Sequence, residues 1–180
     1  MIGLVLPLLG IAAGLAGCES DEAVIPEEGE MTISLSTPAF KDGEAIPARY
    51  TCEGEDISPQ LSWGEPPAGT QTFVLIVDDP DAPSGVFTHW VLFNLPSGSR
   101  GLPEAVSASA EGALEGESSF GRSGYGGPCP PPGSPHHYRF TLYALDKRLE
   151  LAVGVSKEQV IEAMSGHILA RGQLTGTYQR

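Results

Sequence analysis

From Met31 onward the apolar positions mostly recur with period two or collect into short continuous runs. Met31 to Ser36 alternates, which is the signature of a strand with one wet face. Thr72–Val77 (TFVLIV), His89–Leu95 (HWVLFNL) and Tyr138–Leu145 (YRFTLYAL) are continuous, rich in β-branched and aromatic side chains, and bounded by Pro, Gly or Asp. Runs of that length and composition predict strands buried on both faces. One helix is expected, opening at Ser156 as a cap with Gln159 in the capping-box position. Val160, Ile161, Met164, Ile168 and Leu169 then fall on one side at helical spacing, and Gly172 can stop it. Gln173–Tyr178 alternates again and reads as a last strand. No internal repeat is present. The pattern is that of a mainly β protein with one helix near its C-terminus.

Composition sharpens this picture. The 180 residues include 23 Gly and 16 Pro, and they gather between the strands: Asp42-Gly43, Glu65-Pro66-Pro67, Asp79-Pro80-Asp81-Ala82-Pro83 and Gly126 through Gly133. The length suits one domain with a real core. With 10 Lys+Arg against 23 Asp+Glu the formal net charge is −13. That balance excludes a nucleic-acid binder, which needs a basic face to displace phosphate counterions.

Residues 1–17 carry no charge, and Pro7 and four Gly make them a poor membrane span. They read as a signal peptide, cleaved before Cys18. Leu15-Ala16-Gly17-Cys18 resembles a bacterial lipobox, which implies a lipid-modified Cys18 and a membrane-anchored protein of the cell envelope, periplasm-facing or extracellular. An ordinary secretory signal with an incidental Cys is the alternative. Cleavage removes no charge, so attraction to anionic lipid cannot hold the mature chain on a membrane and a covalent lipid is the better anchor. Residues 18–30 hold six carboxylates and read as an acidic tether, and 31–180 as the folded domain. Cys52 and Cys129 then remain. In an exported protein an even pair invites a disulfide, two buried free thiols being the alternative. No Cys-x-x-Cys or related His spacing suggests a metal site, and no cofactor is expected.

Candidate chemistry concentrates in two loops. Asp79 to Pro83 follows a predicted strand, its two prolines stiffen it, and His89 opens the next strand. Gly121 to Gly133 offers backbone that can approach a ligand closely and N–H groups that can form an anion nest, and His136-His137-Tyr138 follows. Singly, Asp-Pro-Asp is a turn sequence and a histidine at a strand start is a structural hydrogen-bonding residue. Together they suit a small polar pocket.

Asp79-Pro80-Asp81-Ala82-Pro83-Ser84, Thr88-His89-Trp90 through Pro96, Gly126-Gly127-Pro128-Cys129-Pro130-Pro131 and His136-His137-Tyr138-Arg139-Phe140 resemble the phosphatidylethanolamine-binding protein family in its bacterial Raf-kinase-inhibitor-like branch. Ile57 to Trp63, Gly166 to Leu169 and Gly176 to Tyr178 add to the likeness, which covers the chain from Met31 to Arg180. The resemblance implies a β-sandwich with a large antiparallel sheet, a smaller sheet and a peripheral C-terminal helix. It also implies a pocket for a small anionic ligand, phosphate or a phospholipid head group, with Asp79, Asp81, Pro83, His89, Gly127, Pro128, His136 and Tyr138 around it. The family often has Arg where this chain has His137. In so acidic a protein, short-range donors must capture the anion: the imidazoles, the Tyr138 hydroxyl and loop N–H groups, with Asp79 orienting or protonating a histidine. Binding is then expected to tighten as the histidines take up protons. Two other functions stay open: modulation of another exported protein, and hydrolysis by the Asp/His pocket, against which the lack of a Gly-x-Ser-x-Gly elbow argues. His167 is expected to be a structural hydrogen-bonding residue of the helix, and Trp63 and Trp90 core residues.

Overall fold

The computed structural model describes residues 30–31, 33–109 and 111–180. The expected signal peptide, Cys18 and tether residues up to 29 lie outside the described residues.

Among the described residues nine strands and one helix follow in order: β1 (Glu30–Met31), β2 (Leu35–Ser36), β3 (Leu61–Trp63), β4 (Thr72–Asp79), β5 (Phe87–Pro96), β6 (Gly101–Leu102), β7 (Leu114–Glu115), β8 (His136–Leu145), α1 (Lys157–Met164) and β9 (Ile168–Tyr178). A single 3-10 turn covers Ala48–Tyr50. The strands form two sheets, a six-stranded one in the order β1-β9-β8-β4-β5-β7 and a three-stranded one in the order β2-β3-β6. Every pairing between named strands is antiparallel except β1 with β9. This is the mainly β, two-sheet sandwich expected.

The continuous apolar runs are the centre of the large sheet, and both of their faces are covered. Phe73, Leu75, Val77, Trp90, Leu92, Phe140 and Leu142 point into one core, shared with Leu35, Leu61, Trp63 and Leu102 of the small sheet. Their neighbours Val74, Ile76, Val91, Phe93, Tyr143 and Leu145 point the other way, onto Val160 and Met164 of α1 and onto Leu149. A period-two element buried twice has no polar face to show, which is why these strands read as unbroken hydrophobic sequence.

Two expectations change. The Met31–Ser36 alternation is divided between two sheets: β1 extends the large one beside Ala170 and Arg171, while Leu35 and Ser36 pair with Trp63 and Ser62 in the small one. The helix is also shorter than its apolar spacing suggested. Its capping box forms as read, with the Ser156 side chain accepting from the Gln159 N–H and the Gln159 side chain accepting from the Ser156 N–H. It ends at Met164, however, because Gly166 turns the chain at φ +74° and the His167 N–H closes on the Met164 carbonyl. Ile168 and Leu169 then join β9, whose ladder with β8 runs from Leu145↔Ile168 to His136↔Tyr178. A ladder of that length overrides a local helical periodicity. Gly172 is no helix stop but a strand residue, where an added Cβ would lie 2.2 Å from the Ile33 carbonyl oxygen.

Candidate functional site

Three adjacent strands of the large sheet, β8, β4 and β5, bring their ends together at one edge of the sandwich. Asp79 closes β4, Phe87 and His89 open β5, and His136 and Tyr138 open β8. These five residues line a cavity of about 190 Å³, completed by Ala82, Pro83 and Ser84 of the Asp-Pro-Asp loop, by Phe120, and by Cys129, Pro130 and Pro131.

The placement of His89 comes from a register shift. Val77 pairs with Trp90 but Asp78 with Thr88, so His89 is an extra residue on β5. Such a bulge re-aims a side chain that regular pairing would fix. The ring is buried, its Nδ1 lies 2.7 Å from the Gly126 carbonyl oxygen, and the Gly126 N–H donates in return to the His89 carbonyl. Burial lowers the His89 pKa, overriding the carbonyl and the carboxylates of Asp79 and Asp78 that favour the cation. At His89 burial therefore opposes the charged form on which tighter binding at low pH would depend.

Asp79 is equally buried. Its Oδ1 accepts the Asp81 N–H, forming the turn its sequence suggests, and its Oδ2 accepts from Nδ1 of His136 at 2.7 Å. The histidine that Asp79 orients is thus His136. Tyr138 packs its ring edge-on to His89. Its hydroxyl is buried and makes no hydrogen bond of regular geometry, although the Asp79 carboxylate and the Cys129 backbone lie near it, and burial together with the Asp79 charge raises its pKa, so it stays an O–H. Phe87, Phe120 and His89 stack edge-on or tilted at 4.9–5.4 Å, with the Arg122 guanidinium 5.4 Å over Phe120.

Of the eight residues expected at the pocket, Asp79, Pro83, His89, His136 and Tyr138 line it, and Asp81, Gly127 and Pro128 do not. Asp81 points to the start of β8, where its Oδ2 accepts both the N–H and Nδ1–H of His137. Those bonds hold its carboxyl below the usual range. His137, in the position where the family often has Arg, is thereby committed to the loop. Gly127 and Pro128 build the wall from behind. The Gly127 N–H donates to Oδ1 of Asp56, its Cβ position lies 2.3 Å from the Tyr50 carbonyl, and the Pro128 carbonyl accepts the Cys52 N–H. The Cys52–Cys129 disulfide, 5.5 Å between Cα atoms, fastens the same two segments. Within the loop expected to offer N–H groups, those of Gly126 and Gly127 are spent inside the fold, while the Cys129 backbone lies toward the Tyr138 hydroxyl.

Sequence reasoning missed the aromatic wall. Phe87 could have been found, being two residues from His89 on one strand, whereas nothing marks Phe120, which arrives from a distant loop. Trp90 and Trp63 are core residues, donating to Glu115 and to the Ser99 carbonyl. His167 lies beyond the helix, not in it, with Nδ1 2.8 Å from Oδ1 of Asp146. Among the described residues no three His, Cys, Asp or Glu side chains cluster as metal ligands, and no helix is long and apolar enough to cross a membrane.

A family model described as phosphatidylethanolamine-binding protein matches residues 36–179. The chain belongs to the phosphatidylethanolamine-binding protein family. A UPF0098 protein of Methanothermobacter thermautotrophicus is 52% identical over 151 residues, covering 82% of this chain and 99% of that protein. LppC of Mycobacterium tuberculosis, whose name makes it a candidate lipoprotein, is 36% identical over 88% of this chain and 78% of its own length. Among solved structures, a candidate phosphatidylethanolamine-binding protein homologue of Chlamydia trachomatis, CT736, superposes with a TM-score of 0.78 at 40% identity, covering 84% of this chain and 99% of that one. YbcL of E. coli, described as a member of the mammalian family, gives 0.77 at 31% identity, covering 82% and 98%.

Proposed function

We propose that this protein is a non-catalytic binding protein whose cavity holds a small phosphate-type anion, exported and tethered to the cell envelope by lipid on Cys18. The observation that carries the first part is the cavity itself, where the Tyr138 hydroxyl, buried without a hydrogen bond of regular geometry, lies beside His89, His136 and Asp79 in a space too small for a drug-sized molecule. A buried donor whose hydrogen bonding is imperfect in the empty protein gains when a ligand oxygen arrives. His136, held by Asp79 at Nδ1, lines the cavity and can offer its other ring nitrogen to the ligand, and the mixed apolar wall excludes water and strengthens each polar contact. Family membership and the name of LppC support the binding role and the lipid anchor, respectively.

Calorimetric titration of the full chain with inorganic phosphate tests the cavity. Saturable binding, weakened about tenfold or more in His136→Ala as expected for the loss of a charge-assisted bond, supports it. Wild-type protein that takes up no phosphate overturns it. Mass spectrometry of the protein expressed in bacteria tests the anchor: an acylated Cys18 at the mature N-terminus is expected, and a mature chain without acyl groups refutes it.

A further inference from the structure

Both cysteines of the Cys52–Cys129 bond are exposed, while Thr51, Pro128 and Pro130 beside them are buried. A thiol in solution can therefore reach the sulfurs without the fold opening, and exposed disulfides belong to the labile class. The two sulfurs meet different charges. The Arg180 guanidinium donates from Nη1 to Sγ of Cys129 at 3.5 Å and to the Pro130 carbonyl at 3.3 Å. Glu53, the neighbour of Cys52 in sequence, has its Oε1 3.6 Å from Nε of the same guanidinium. The cation thus touches Cys129 and the carboxylate follows Cys52. A positive neighbour favours a thiolate, and the sulfur whose thiolate is more stable is the better leaving group in exchange. The disulfide is also not the sole tie between its two segments. The Tyr125 hydroxyl donates to the Tyr50 carbonyl, the Gly127 N–H to Oδ1 of Asp56 and the Cys52 N–H to the Pro128 carbonyl. Those bonds keep the sulfurs neighbours once the covalent one is broken.

We infer that Cys52–Cys129 is an exchange-active disulfide, opened in the folded protein by a protein dithiol that attacks Cys52. The attacking thiolate bonds to Sγ of Cys52, the Cys52–Cys129 bond breaks, and its electron pair leaves on Sγ of Cys129 beside Arg180. The second thiol of the dithiol, once deprotonated, attacks its own partner's sulfur in the mixed disulfide and releases Cys52. Two electrons have then passed to this chain and the dithiol has become a disulfide. Of its two protons one goes to Cys52 and the other to solvent, leaving Cys129 as a thiolate. The reverse sequence closes the bond again. Cys129 lines the cavity, so opening places a nucleophilic sulfur in the cavity wall. The exchange itself requires no ligand in that cavity, and it stands or falls independently of the proposed anion site.

The test uses the full chain carrying Cys18→Ser, so that Cys52 and Cys129 are what remains of its 3 cysteines. Without denaturant it is exposed to reduced glutathione, a monothiol that halts at the mixed disulfide, and quenched with N-ethylmaleimide. Peptide mass mapping is expected to find glutathione on Cys52 and maleimide on Cys129, at least about fivefold over the reverse pattern. In the same chain with Arg180→Gln the ratio is expected to move toward one, and reduction by dithiothreitol to slow several-fold. A disulfide that opens only in urea overturns the inference. Glutathione shared equally between the two cysteines, or favouring Cys129, overturns the attack at Cys52. A ratio and a rate unchanged by Arg180→Gln overturn the part given to the guanidinium.

Discussion

Burying a hydroxyl without a good hydrogen bond costs up to about 1–3 kcal/mol, and Tyr138 carries such a group against the cavity, with no bond of regular geometry. Removing it separates the two roles a residue can have. Tyr138→Phe keeps the ring against His89 and is expected to unfold at the same denaturant concentration or a higher one, while phosphate affinity falls about tenfold. A variant that loses stability and binds phosphate normally would show that the hydroxyl serves the fold. His89 gives a prediction in pH. Asp78 and Asp79 of β4, His136 and Tyr138 of β8 and the Gly126 carbonyl surround it, yet burial prevails and its folded pKa lies below the ordinary imidazole value. The unfolded chain therefore binds a proton near pH 6.5 that the folded chain refuses, and stability falls as pH drops below about 6.5. Urea denaturation between pH 5 and 7 should show this slope, and His89→Gln should flatten it. An unchanged slope would place the titration elsewhere. At this scale the sequence motifs located Asp79, Pro83, His89, His136 and Tyr138, since each sits at a strand end that the apolar pattern delimits. They could not tell which carboxylate serves which histidine, because Asp79–His136 and Asp81–His137 differ only in the direction two neighbouring loop residues point.

The helix owes its place to one buried ion pair as well as to its apolar stripe. Asp78, next to Asp79 on β4, points to the opposite face of the sheet, where its Oδ1 accepts from Thr88 at 2.7 Å and lies 3.4 Å from Nζ of Lys157 in the first turn of α1. Burial raises the Asp78 pKa even with that lysine beside it. Lys157→Met should therefore cost stability in a pH-dependent way. A carboxylate left buried and alone destabilises by about 3–5 kcal/mol, but Asp78 can take up a proton instead. The unfolded carboxyl ionises above about pH 4 while the folded one stays protonated to higher pH, so the penalty grows as pH rises. Urea denaturation at pH 5 and pH 8 is expected to give the larger loss at pH 8, and equal losses would argue for lost packing rather than charge. The start of α1 was legible because a capping box is written in two residues. Its end was not, since Ile168 and Leu169 fit a helix locally and only their partners on β8, more than twenty residues away, make them a strand. The bulge at His89 likewise depends on how β4 and β5 align, which neither sequence alone records.

At the scale of the whole molecule, the cavity wall is tied down from outside the sheet. The Cys52–Cys129 bond closes 77 residues of chain, and chain-entropy arguments put its contribution at about 4 kcal/mol. A Cys52→Ala, Cys129→Ala protein should lose stability of that order in urea, with an undiminished midpoint showing that the hydrogen bonds of Gly127 and Pro128 hold the loops alone. The position of the cavity relative to the point where the chain enters the fold has a functional consequence. Glu30 pairs with Ala170, beside Ala144 at one end of the β8–β9 ladder, whereas the cavity lies at the other end, where His136 faces Tyr178. The eight residues of β9 between these points span about 26 Å of extended strand. A lipid on Cys18 would then draw the far pole of the sandwich toward the bilayer and leave the cavity open to the surrounding solution. The overall charge of −13 acts in the same sense, since an acidic domain is repelled by anionic lipid. Lipidated protein on phosphatidylethanolamine vesicles is therefore expected to bind inorganic phosphate as tightly as the unlipidated chain in solution. A fluorophore on Ser84→Cys at the cavity is expected to escape a quencher carried by the lipid. Loss of phosphate affinity on vesicles, together with quenching at Ser84→Cys, would mean that the cavity faces the membrane that anchors it.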